Sequence, residues 1–143
     1  MERCNLTGNF RVVPTPQAKA SNAKLHPRRS DQMEVRRHAL KLRFWPLRHA
    51  ADENGKVLDL DYSWIKALKG LDIGELRIHD TIGGNNNLRL IFFVGDMRVK
   101  DPLPMIWILE VMQKKRDEFT ANQLKIFKAK RIIVIERYYN YRI

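Results

Sequence analysis

In "ALKLRFWPL" the apolar Leu40, Leu42 and Phe44 alternate with Lys41, Arg43 and Trp45. A period of two predicts a strand with one buried face, ended by Pro46. In "DLDYSWIKALKG" the spacing changes. Trp64, Ala67, Leu68 and Leu71 fall at i, i+3, i+4 and i+7, which predicts a helix capped by Asp61 or Asp59 and closed near Gly70. "ELRIHDTIGGNNNLRLIFFV" reads as a hairpin, two runs of β character around a Gly/Asn turn. No helix start follows Gly83 and Gly84, so they suit a turn rather than a phosphate cradle. "MIWILEVM", 105–112, is almost continuously apolar and predicts a strand covered on both faces. Glu110 is its exception, either an ion-pair partner for an arginine or a residue at the sheet's rim. Thr120 and Gln123 have the spacing of a capping box, with Phe119 and Leu124 as the staple, so a helix starts there. It continues through "RIIVIERYY", where a strand is the competing reading. This order predicts a small α+β domain with a mainly antiparallel sheet and flanking helices.

The hairpin's apolar residues also predict a register. Leu76 and Ile78 must share a buried face with Leu88, Leu90 and Phe92, and pairing Leu76 with Phe92 and Ile78 with Leu90 does this. The opposite face then gathers Arg77, His79 and Arg89. On most sheets such a face is simply solvated.

Residues 1–37 look different. They hold 8 Lys+Arg against 3 Asp+Glu, three prolines and no sustained apolar period. The reading is a disordered basic arm before a domain at 38–143. A solvated tail without a role, or translation starting at Met33, fits the same composition.

Charge adds to this picture. The 143 residues carry 27 Lys+Arg and 16 Asp+Glu, net +11, which favours polyanionic partners, nucleic acid above all. Residues 114–131 alone hold 7 Lys+Arg and 2 Asp+Glu. Cys4 is the single cysteine, which leaves no pairing within one chain. No apolar run reaches the ~18 residues of a membrane helix, and no secretory leader is visible. The expected location is the cytoplasm. His26, His38, His49 and His79 lack metal-ligand spacing, and no Ser or Cys lies in a nucleophile motif. No metal or cofactor is expected. Trp45, Trp64 and Trp107 are read as core.

The segment from "LRFWPL" to "ERYY" resembles the RelE/HigB-like toxins of bacterial type II toxin–antitoxin systems, and within them the phage-derived HigB-type branch. "GELRI" at 74–78 and "NLRLIFF" at 87–93 are similar to two of the family's strands. "ILEVMQKKRDEFTANQL" is similar to its apolar strand, basic link and Thr-capped helix. The resemblance implies a RelE-like fold and a metal-independent endoribonuclease that cleaves mRNA on the translating ribosome. It also implies a cognate antitoxin, expected to carry a helix-turn-helix. Arg77, Arg89, Lys114 and Lys115 match the family's basic catalytic positions. A second group comprises His79, whose imidazole suits acid–base work, Arg116, and Tyr138 and Tyr139. The tyrosines are able to stack bases, or equally to pack the C-terminus on the sheet; Tyr141 belongs to the same C-terminal group. Two other readings stay open. One is a non-catalytic RNA- or ribosome-binding module on the same fold. The other is a basic DNA-associated protein of a mobile element, although no helix-turn-helix is visible.

Overall fold

The computed structural model describes residues 8–52 and 54–139. Two backbone signals open the fold. Arg11–Pro14 (β1) runs parallel to Met105–Gln113 (β7), pairing Arg11 with Met105 and Pro14 with Ile108. Thr15 then turns the chain. Its Oγ1 accepts from Ala18 N at 3.1 Å and donates to Ile108 O at 3.0 Å. With Pro16 in the first turn, this starts helix α1, Pro16–Leu25. Helix α2, Arg29–Leu40, follows and continues into a 3-10 turn at Lys41–Phe44.

Residues 8–37 are therefore not a disordered arm. They supply an edge strand, a helix and most of a second, and Phe10, Ala18, His26 and Val35 are buried. Composition misled because α1 buries only Ala18 of its own residues, so it has almost no apolar stripe. Tertiary packing and the Thr15 cap hold it instead. Residues 1–7, including Cys4, and 140–143, including Tyr141, lie outside the described residues.

The predicted strand at 40–44 is the end of α2 and the 3-10 turn. Leu42 and Phe44 are buried as the alternation required, but Leu40 is exposed. A two-stranded ribbon follows, His49–Ala51 (β2) against Val57–Asp59 (β3). The predicted helix after it is a strand, Tyr62–Trp64 (β4), and a 3-10 turn at Lys66–Leu68. Tyr62, Ser63 and Trp64 pair with Leu76, Glu75 and Gly74. That ladder outweighs a helical stripe whose first member, Trp64, is left largely exposed. Trp45 packs against the core.

The hairpin forms as expected. Ile73–Ile78 (β5) and Leu88–Val94 (β6) are antiparallel, and Ile82 and Asn85 exchange backbone hydrogen bonds around Gly83 and Gly84. Both glycines have positive φ, 58° and 81°, as a two-residue hairpin turn requires. The register differs from the expected one by two residues: Leu76 pairs with Leu90, Ile78 with Leu88 and Gly74 with Phe92. Gly74 accounts for the shift. A Cβ there would lie 2.6 Å from the Phe92 ring, so the largest side chain of β6 occupies the space that glycine leaves open. A shift of two keeps every side chain on its face. Arg77 therefore still shares a face with Arg89, now directly opposite it.

The five-stranded sheet has the order β1-β7-β6-β5-β4. It is antiparallel apart from β1, in an α+β fold. Leu76, Leu90, Phe92 and Ile108 on one face meet Ala18, Val35 and Leu42. Ile73, Ile91, Phe93 and Leu109 on the other meet Phe127, Val134 and Ile135. These last belong to helix α3, Ala121–Val134, and its π-helical end at Ile135–Tyr139. Both halves of the Thr120–Gln123 capping box form, and "RIIVIERYY" is helical, not a strand. β7 is covered on both faces. Among the described residues no helix is long and apolar enough to cross a membrane.

Candidate functional site

Two carboxylates organise the basic residues at one end of β5, β6 and β7. Glu75 on β5 is buried, where an unpaired charge would be costly. Its Oε1 accepts from Arg89 Nε at 3.1 Å and lies 3.6 Å from Lys114 Nζ. Lys114 is further fixed by its backbone N–H, which donates to Asn87 O at 2.9 Å. Its ammonium sits 4.3 Å from the centre of the Phe119 ring. The short link after β7 therefore has its first cation held against the sheet. The side chains of Arg89 and Lys114 are only 16% and 13% exposed. Glu75 neutralises much of their charge.

Asp61, just before β4, binds the other pair. Its Oδ1 accepts from Arg77 Nη1 at 3.2 Å and its Oδ2 lies 2.6 Å from His79 Nε2. Partial burial raises the Asp61 pKa. The hydrogen bond from His79 and the Arg77 charge outweigh that and hold the carboxyl below the ordinary carboxylate value. An ionised carboxylate only accepts, so His79 donates from Nε2. In the neutral ring, Nδ1 is then an acceptor, with no hydrogen-bond partner among the described residues. The His79 side chain is 66% exposed. Arg77, Asp61 and His79 thus form a chain of contacts that ends in an accessible base, beside the Arg89–Glu75–Lys114 cluster.

Lys115 and Arg116 are exposed and have no ion pair among the described residues. With Lys114, Thr120 and Gln123 they line a cleft of 380 Å³ between the end of β7 and the first turn of α3. Glu110 and Glu118 also line it. Glu110 pairs with Lys130 of α3 at 3.1 Å and accepts from the Ser21 hydroxyl. Among the described residues it does not pair with an arginine.

Tyr138 and Tyr139 lie elsewhere. The Tyr138 ring packs 5.0 Å from Trp107, and its O–H points to Met105 Sδ at 3.6 Å. Tyr139 O–H accepts from Trp107 Nε1 at 3.0 Å. Both therefore anchor the C-terminal turn at the start of β7, whereas the cations cluster at its end. Of the eight candidate residues, the fold joins Arg77 to His79 and Arg89 to Lys114. It places Lys115 and Arg116 in the adjoining link and separates the two tyrosines.

Asp61 and Glu75 were not recognised from sequence. Period two puts Glu75 on the same face as Arg77, which is a usable signal. Asp61 offers none, because its pairing depends on β4, a strand over residues whose apolar spacing is helical. Compared with protein-family models, curated proteins and solved structures, the chain has no match.

Proposed function

We propose that the protein is a RelE/HigB-like toxin, a metal-independent endoribonuclease that cleaves mRNA on the translating ribosome and is held in check by a cognate antitoxin. The observation that carries this reading is His79. It is exposed, oriented by Asp61 and linked through that carboxylate to Arg77. Nδ1 of His79 takes the proton of a ribose 2′-hydroxyl as its oxygen attacks the adjacent phosphorus. The P–O5′ bond breaks, leaving a 2′,3′-cyclic phosphate, and the departing 5′-oxygen takes a proton from solvent. Arg77, Lys115 and Arg116 stabilise the charge that builds on the phosphate oxygens. Arg89 and Lys114, held by Glu75, set the position of the link.

One observation favours a second reading, a non-catalytic RNA- or ribosome-binding module. Asp61 and Glu75 neutralise much of the cluster, leaving Lys115 and Arg116 without an ion-pair partner among the described residues. Inducible expression, alone and together with a neighbouring reading frame that encodes a helix-turn-helix protein, separates the two. The toxin reading predicts growth arrest that the neighbour relieves and that Arg77→Ala or Lys115→Ala abolishes without unfolding the protein. Equal, small losses of RNA binding and of growth effect in both variants support the binding module instead.

A further inference from the structure

Glu34 and His38 stand one turn apart on α2, and Asp80 lies in the loop just after β5. Their side chains converge on one another next to the cluster described above, since Asp80 directly follows His79. His38 Nε2 is 3.1 Å from Asp80 Oδ2 and 3.8 Å from Glu34 Oε2. One ligand atom from each residue lies within 4.8 Å of the other two. Residues at i and i+4 of a helix share a face, and His38 is held, with 14% of its side chain exposed. Four donors ~2.0–2.1 Å from a tetrahedral ion are roughly 3.3 Å apart, so these separations need only small side-chain movements to close around one.

Both carboxylates address the same imidazole nitrogen. A proton there reaches Asp80 but leaves Glu34 beyond hydrogen-bond range. A divalent ion in the proton's place would engage all three residues. The surroundings suit this. Arg37 pairs with Oε1 of Glu34, which orients the carboxylate and leaves Oε2 available, as outer-shell partners of metal ligands do. Lys41, the nearby ammonium, donates to Asp59 O at 3.2 Å. A cleft of 390 Å³ lined by Glu34, His38, Lys41, Asp59 and Asp80 provides a path from solvent.

We propose that Glu34, His38 and Asp80 bind one divalent ion of the zinc class, with water completing its coordination. An imidazole nitrogen with two carboxylates favours such an ion over magnesium or calcium, which take all-oxygen sites. The bound ion ties α2 to the loop after β5, and so stabilises the folded state by mass action. The proposed cleavage needs no metal, so chelation separates the two readings.

The test is thermal melting and titration calorimetry of the full chain with zinc chloride, with magnesium chloride and with EDTA. Zinc should raise Tm by several degrees, bind with a stoichiometry of one and be reversed by EDTA. Magnesium should do neither. His38→Ala should abolish the zinc effect. Asp80→Asn, at an exposed position that leaves folding intact, should weaken binding at least tenfold. No zinc-dependent shift in the wild-type chain would overturn the proposal. So would a shift that survives in both variants, because the ion would then sit elsewhere.

Discussion

Arg77 stands directly opposite Arg89 in the β5–β6 ladder. Like charges in that position repel, yet each has its own carboxylate, Asp61 for Arg77 and Glu75 for Arg89. Two acids thus allow a basic face to form on a folded sheet, and they set which cations remain available to a ligand.

Glu75→Gln should separate stability from affinity. The change leaves Arg89 and Lys114 without their shared carboxylate in a nearly buried setting, a loss of about 3 kcal/mol. Urea unfolding should show it as a lower midpoint. Binding to single-stranded RNA should strengthen, because one negative charge leaves the cluster. A loss of both stability and affinity would mean that Glu75 positions the cations more than it neutralises them.

Asp61 gives a pH signature. Its folded pKa lies below the ordinary 3.8, so the unfolded chain binds the proton more tightly. The stability it contributes is fully present above about 3.8 and is lost as pH falls through the lower, folded value. The groups facing it are Arg77 and His79, with Lys41 more distant. Asp61→Asn should cost of order 1 kcal/mol or less at pH 7, since the pair is open to water. The difference from wild type should shrink as the medium is taken below pH 4. A gap that stays constant with pH would remove the ion pairs as its cause.

A chain beginning at Met33 should be severely destabilised. It lacks β1, α1 and the buried Phe10, and loss of a buried phenylalanine alone costs about 3–5 kcal/mol. Denaturant midpoints of the two chains measure this directly. Melting within a few degrees of the full chain would return residues 8–32 to the status of a dispensable arm.

Tyr139→Phe should lower stability by about 1 kcal/mol, through the unpaired Trp107 N–H, and leave RNA cleavage unchanged. A selective loss of cleavage would place Tyr139 in the site after all.

The hairpin, β7 and α3 were legible in the sequence because their signals are local: period two, an unbroken apolar run, a capping box. The facing of Arg77 and Arg89 survived a two-residue error in register because side chains alternate with that same period. The N-terminal elements and β4 were not legible. α1 rests on the Thr15 cap and on tertiary packing rather than on an apolar stripe, and β1 exists only because β7 offers it an edge. Tyr62–Trp64 is a strand only because β5 lies beside it. Asp61 was hidden with β4, and so the partner that orients His79 could not be read.

The central claim is that His79 is the base of an RNA-cleaving site. Its most direct test is the rate of cleavage of a translated message in a cell-free extract, comparing the wild-type chain with His79→Gln at equal RNA affinity. New 5′-hydroxyl ends should appear with the wild type, and the substitution should slow them at least about 100-fold. Cleavage at the wild-type rate by His79→Gln would contradict the account, as would RNA binding by the wild-type chain with no cleavage at all.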